Sequence, residues 1–164
     1  MNRLLRNRTF WIAIFLLILT DILFVGTMLD YFNFGSIIGQ YRLNHWIGWI
    51  GIIFIVIHLP IFAWVKRKYS GKSKIFLGIH VIGTLLSYLL ITIHFASQIS
   101  RPAQFYPDLG TGVALYLFMI TLIITGFLQR FNLLGKHRKK WLFLHRSSIF
   151  ATLIIIIFHI LHGI

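Results

Sequence analysis

The sequence predicts an all-α integral membrane protein with five transmembrane helices. Hydrophobic residues make up 58% of the 164 residues and charged residues only 12%, a composition that water-soluble domains rarely show. The apolar residues form five runs of about 20 residues, the length that an α-helix needs to cross a bilayer. These runs lie at 10–29, 45–65, 75–97, 111–129 and 141–162. Because the loops between them are short, we expect residues 1–164 to form a single transmembrane domain.

The distribution of basic residues predicts how the helices are oriented. Lys and Arg concentrate before the first run, between the second and third runs, and between the fourth and fifth runs. The two other loops contain only Arg42 and Arg101 as basic residues and also hold Asp30 and Asp108. Cytoplasmic loops of membrane proteins carry the excess of Lys and Arg. We therefore expect a multi-pass plasma-membrane protein with its N-terminus in the cytoplasm and its C-terminus outside.

Charge and cysteine content exclude several kinds of function. The net charge is +13, but the basic residues lie in short clusters between apolar runs, which favours contact with membrane lipid over nucleic acid as a partner. The chain has no cysteine, which excludes disulfides, zinc–thiolate sites, iron–sulfur clusters and c-type haem. Any bound metal must therefore be held by nitrogen or oxygen ligands.

Histidines are the main chemical signal in the apolar runs. Seven of the eight fall within the runs or at their edges, where an ionisable side chain is costly and usually faces the interior of the bundle with a partner. The second, third and fifth helices each carry a widely spaced pair, whereas the fourth carries none. The pairs are His45 and His58, His80 and His94, and His145 and His159.

The spacing of these pairs indicates two levels within the membrane. On the third and fifth helices the histidines are 14 residues apart, a step that returns to within about 40° of the same face after a rise of about 21 Å. Both helices run in the same direction, and their first histidines follow the basic clusters at similar distances. Two level pairs of imidazoles fit two b-type haems with two axial ligands each. The pair on the second helix is 13 residues apart, which points its rings about 140° from each other.

Part of the sequence resembles the ferric reductase-like transmembrane domain. This family includes ferric reductases, NADPH oxidases and the haem subunit of bacterial methionine sulfoxide reductase. The resemblance covers roughly residues 41–162. It is carried by His80-Val-Ile-Gly83 with His94 and by Trp141-Leu-Phe-Leu-His145 with His159.

The resemblance implies a membrane subunit of an oxidoreductase that transfers electrons across the bilayer. Helices two to five would form a bundle that binds two haems b, and the only metal implied is haem iron. His80 and His145 would ligate the haem on the inner side, and His94 and His159 the haem on the outer side. The third and fifth helices are separated by one helix, and alternate helices of a four-helix bundle lie diagonally across its core.

The second helix departs from this pattern and offers alternative ligands. With His45 and His58 it is similar to small cytochrome b modules in which the second helix carries the histidine pair. His162 follows His159 by three residues and could replace it. The chain has no Gly-rich nucleotide fingerprint on a strand–helix unit, so whether it is itself an enzyme stays open. Electrons would come from a redox partner protein or a quinol.

Two functions from other classes remain as alternatives. A histidine-lined transporter for a divalent metal or a proton would place its ligands along a path, but Asp21 is the only carboxylate within the apolar runs. A structural membrane subunit would use its histidines only for hydrogen bonds between helices. We expect Asp21, which lies in the middle of the first helix, to pair with a histidine.

Overall fold

Five α-helices make up most of the molecule. The computed structural model describes residues 7–69, 71, 73–102, 109–133 and 135–163, and the chain is 85% helical. The helices are α1 (Arg8–Met28), α2 (Leu43–Lys68), α3 (Ser73–Ile99), α4 (Leu109–Arg130) and α5 (Arg138–Gly163).

The lengths and compositions of these helices confirm the predicted multi-pass class. Within the described ranges, five helices are long and apolar enough to cross a membrane, the shortest span having 21 residues. The predicted runs agree with the helices to within three residues at every end. Hydropathy locates membrane helices well because a helix satisfies its own backbone hydrogen bonds, so only its length and apolar surface need to match the bilayer.

The connection between α1 and α2 contains a short hairpin. After α1 ends, the backbone N–H groups of Tyr31 and Phe32 both donate to Gly26 O, at 2.8 and 3.1 Å. A two-stranded antiparallel hairpin follows, with β1 at Ile37–Ile38 and β2 at Tyr41–Arg42. The chain then enters α2 directly from β2, which fixes the start of that helix.

The contacts divide the chain into two compact units, Met1–Ser100 and Arg101–Ile164. In the first unit α3 packs against both α1 and α2, and in the second unit α4 packs against α5. The expectation of one domain over residues 1–164 stays a prediction. Each unit is described by itself below.

Large apolar side chains cover the outside of the helices, as a lipid-facing surface requires. Trp11, Phe15 and Phe150 are all more than half exposed. Inside the first unit, buried hydroxyls donate to carbonyls of their own helix: Thr20 Oγ1 to Leu16 O at 2.7 Å and Ser87 Oγ to Gly83 O at 3.1 Å. These bonds let small polar groups be buried without a solvent partner.

Gly51 of α2 lies directly against the backbone of α3. A Cβ atom there would lie 3.0 Å from Ile91 Cγ1, 3.1 Å from Leu90 Cβ and 3.2 Å from the backbone oxygen of Ser87. Small residues at helix interfaces permit such close packing. Gly51 therefore permits close packing of the two helices that carry four of the histidines.

Replacing Gly51 by Ala should destabilise the first unit. The added methyl group meets backbone as well as side-chain atoms, and overpacking of this kind costs about 1–3 kcal/mol. Gly78→Ala is the matched control, because a Cβ there would meet only Thr9 Oγ1 at 3.6 Å. Thermal unfolding followed by circular dichroism in detergent should give a lower Tm for Gly51→Ala than for Gly78→Ala. Equal Tm values would contradict the close approach.

Candidate functional site

One histidine contact in the first unit joins the middle of α2 to α3. His58 Nε2 lies 3.2 Å from His80 Nδ1, and the two rings are parallel, with centroids 5.3 Å apart and planes at 5°. The Phe62 ring lies parallel to the His80 ring at 4.2 Å, and Phe54 stacks near His58 at 6.2 Å. The two imidazoles therefore lie nearly in one plane and meet edge to edge through their nitrogens, while the Phe62 ring covers one face of His80.

A second histidine contact lies near the start of α2 and the end of α3. The rings of His45 and His94 are 5.4 Å apart and meet edge to face at 70°. His94 Nδ1 lies 3.0 Å from the backbone oxygen of Asn44, and His45 Nε2 lies 3.3 Å from Gln98 Nε2. Both histidines of α2 thus meet a histidine of α3 despite their 13-residue spacing. The two contacts differ in geometry: the His58 and His80 rings are nearly coplanar, whereas the His45 and His94 rings meet edge to face.

In the second unit, a threonine of α4 positions the first histidine of α5. His145 Nδ1 lies 2.8 Å from Thr125 Oγ1. That hydroxyl has a carbonyl acceptor, since it lies 2.6 Å from Thr121 O. A hydroxyl has one proton to donate, and the shorter contact is the one to Thr121 O, so we assign Thr125 as the acceptor of a hydrogen bond from the Nδ1–H of His145. With this assignment, the neutral His145 ring carries its lone pair on Nε2.

The second histidine of α5 repeats this arrangement. His159 Nδ1 lies 3.0 Å from Thr111 Oγ1. On α4 the dipeptide Thr-Gly occurs at 111–112 and again at 125–126, a spacing of 14 residues that equals the spacing of His145 and His159 on α5. Because α4 and α5 run antiparallel, each Thr-Gly meets one histidine. The sequence analysis did not identify Thr111 and Thr125 as partners of the histidines. The Thr-Gly dipeptide that occurs twice on α4, the helix without histidine, is the pattern that could have indicated them.

Four histidine rings lie against a glycine on the neighbouring helix. A Cβ atom on Gly48 would lie 2.8 Å from His94 Cγ, and one on Gly83 would lie 3.0 Å from His58 Cε1. In the second unit the corresponding distances are 3.2 Å from Gly126 to His145 Cε1 and 3.4 Å from Gly112 to His159 Cε1. A glycine opposite the ring leaves room for the imidazole between two closely packed helices.

The predicted haem ligands and the alternative ligands differ in which ring nitrogen makes the described hydrogen bond. In the four predicted ligands the bonded nitrogen is Nδ1, whereas in His45 and His58 it is Nε2. The partners of the four Nδ1 atoms are His58 Nε2 for His80, Asn44 O for His94, Thr125 Oγ1 for His145 and Thr111 Oγ1 for His159.

This pattern fits ligation of a metal through Nε2. A carbonyl oxygen can only accept, so His94 donates its Nδ1–H to Asn44 O and carries its lone pair on Nε2. A metal-ligating histidine usually donates its other ring N–H to an oxygen acceptor, which fixes its tautomer and orientation. His94 and His145 have this arrangement, and His159 has an oxygen partner at the same atom. In the His58–His80 contact the shared proton can lie on either ring.

Three other residues from the sequence analysis fall outside this arrangement. Asp21 is exposed on α1 and has no hydrogen bond or ion pair with the described residues, so its expected pairing with a histidine is not found there. His137 lies exposed in the 3₁₀ turn before α5. The side chain of His162 lies outside the described part of the chain. Among described residues, no group of three or more His, Cys, Asp or Glu side chains is arranged to hold a metal ion.

Comparison of the chain with protein-family models, curated proteins and solved structures finds no match.

Thr125→Val should change the tautomer of His145. Without the hydroxyl, the ring loses the acceptor that lies 2.8 Å from Nδ1, so the proton should move toward Nε2. Nitrogen-15 NMR of histidine-labelled protein at mildly alkaline pH distinguishes the two tautomers. Thr125→Ser should behave like the natural protein, and so should Thr121→Val, whose side chain bonds only Leu117 O at 2.9 Å. An unchanged His145 spectrum in Thr125→Val would contradict the assigned hydrogen bond.

Proposed function

We propose that the protein transfers electrons across the membrane as a di-haem b-type cytochrome, the membrane subunit of an oxidoreductase. The observation that best supports this is the shared hydrogen bonding of His80, His94, His145 and His159, each of which has its described partner at Nδ1. When bound, a haem supplies an iron that accepts and passes on one electron at a time.

The chain's own residues would hold and tune the two haems. We assign His80 and His145 to one haem and His94 and His159 to the other, following the two levels given by the 14-residue steps on α3 and α5. Hydrogen bonding of an N–H to an acceptor makes the imidazole a stronger electron donor to iron. Thr125 and Thr111 would therefore stabilise the oxidised state at their respective levels.

Two histidines on one iron favour electron transfer over substrate chemistry. Such ligation leaves no open coordination position, so the protein's contribution is to fix the distance, potential and insulation of the iron. Donor and acceptor would then be a redox partner protein or a quinol. Lipid contact explains the basic ends of the helices, such as Lys66, Arg67 and Lys68 at the end of α2.

One observation favours a second candidate, a structural membrane subunit. Six histidines have a described hydrogen bond to another residue, and each of these bonds joins two helices. Hydrogen bonds across helices stabilise membrane bundles by about 0.6–2 kcal/mol each. A structural subunit would show no haem spectrum, so haem content decides between the two functions.

The purified protein should contain about two haems b per chain. A reduced-minus-oxidised absorbance spectrum identifies b-type haem, and the pyridine haemochrome assay counts it. His80→Ala or His145→Ala should each remove one and the same haem, because both would ligate it. His94→Ala or His159→Ala should remove the other.

His137→Ala is the matched control for these variants, because His137 is exposed outside the helices and its loss should leave both haems in place. Loss of a haem in His58→Ala together with full haem content in His80→Ala would overturn the ligand assignment. Absence of haem from protein made with ample haem supply would remove the cytochrome function.

The topology that we propose places the N-terminus in the cytoplasm and the C-terminus outside. Because the chain has no cysteine, single cysteines can report the side of each loop. In intact cells a membrane-impermeant maleimide should label Gln40→Cys in the hairpin turn and should label Lys136→Cys only after permeabilisation. The reverse labelling would show the opposite orientation.

A further inference from the structure

Unsatisfied polar atoms in the first unit concentrate at one end of its helices. Among its described residues, four buried side-chain oxygens have no hydrogen-bond partner: Thr27 Oγ1, Asn44 Oδ1, Ser97 Oγ and Gln98 Oε1. All four belong to the last residues of α1 and α3 or to the first turn of α2. Away from this end, Thr20 and Ser87 are buried but bonded to backbone carbonyls. Among the described residues of the first unit, the buried oxygens without a hydrogen-bond partner are therefore confined to this end.

Two of these oxygens belong to one group of contacting residues, which we call the amide cluster: Asn44, His45, His94 and Gln98. Gln98 contacts the ring of His45, His45 meets the ring of His94, and His94 bonds the backbone of Asn44. Asn44 is 1% exposed and Gln98 is 7% exposed. A buried polar atom without a partner costs about 1–3 kcal/mol, so a ligand that supplies hydrogen bonds here gains that energy.

The chemistry of the unsatisfied atoms specifies the ligand. Amide oxygens only accept hydrogen bonds, so the ligand must donate them. No charged side chain belongs to the amide cluster, which favours a neutral hydroxyl over an ion. The aromatic rings of Tyr41, Trp46 and Trp49 lie within 6.0 Å of one another, and the Tyr41 ring is 6.3 Å from the ring of His45. These rings are between 38% and 39% exposed and offer flat apolar surfaces to a ring-shaped ligand.

We propose that the amide cluster binds the hydroxyl-bearing ring of a quinol that enters from the bilayer. A quinol combines hydroxyl donors for Asn44 Oδ1 and Gln98 Oε1 with an aromatic ring for the neighbouring side chains and an apolar tail for the membrane. The choice of a quinol among hydroxyl-bearing ligands rests on the proposed electron-transfer function. His94, a proposed haem ligand, belongs to the same cluster.

Photolabelling of the full chain in lipid nanodiscs tests this site. A short-chain benzoquinol that carries an azide group, kept anaerobic, should crosslink to residues 41–49 and 94–99, as mapped by mass spectrometry. Excess unlabelled quinol should suppress this labelling, whereas its dimethyl ether, which has no hydroxyl to donate, should not. Labelling spread evenly over the helices, or equal competition by the ether, would overturn the proposal and leave water as the occupant.

Substitutions of Asn44 and Gln98 test whether the side-chain oxygens of these residues bind the quinol. Gln98→Leu and Asn44→Leu should each weaken quinol binding by about three- to tenfold, the effect of one lost neutral hydrogen bond. Ser87→Ala is the matched control, because this buried hydroxyl already bonds Gly83 O, and binding should be unchanged. Unchanged binding in both Leu variants would overturn the proposal. If neither variant folds, the comparison of quinol with its ether still decides.

Haem content measured on the same preparations separates the two proposals. Haem without specific labelling would overturn the quinol site and leave the cytochrome function standing. Specific labelling without haem would support the amide cluster as a quinol site and remove the cytochrome function.

Discussion

The arrangement of this molecule depends on one constraint, that polar side chains within a bilayer must find their hydrogen-bond partners inside the protein. Each unit meets this constraint at its histidines. A threonine hydroxyl, a backbone carbonyl, a glutamine amide or a second imidazole on the neighbouring helix contacts the ring. Because these contacts join adjacent helices, they also fix how far one helix can slide along the other.

The glycines that lie opposite the histidine rings are explained by the same constraint. An imidazole between two helices needs space, and a glycine on the opposite helix provides it for His58, His94, His145 and His159. In the second unit, threonine and glycine are adjacent, so a single dipeptide supplies both the acceptor and the space. The equal 14-residue spacing on α4 and α5 keeps the two levels in register along antiparallel helices.

The hydrogen-bond pattern gives the histidines different chemical roles. Where Nδ1 donates to an oxygen, the ring presents its lone pair at Nε2, the atom that extends farthest from the backbone. His45, by contrast, has Gln98 at its Nε2, and this contact makes it part of a polar cluster at the end of the bundle. In the proposed function, two histidines whose rings lie 5.4 Å apart would therefore serve different ligands, His94 an iron and His45 an organic ring.

The sequence by itself determined the membrane class, the five helices and the candidate histidines, because the length of an apolar run and the period of a helix are local properties. It did not identify Thr111, Thr125 or Asn44, nor the contact of both α2 histidines with α3. Nor did it indicate that Asp21 is exposed. Which ring nitrogen is bonded, and which side chain lies opposite, depends on how neighbouring helices are aligned, and only the tertiary structure decides that.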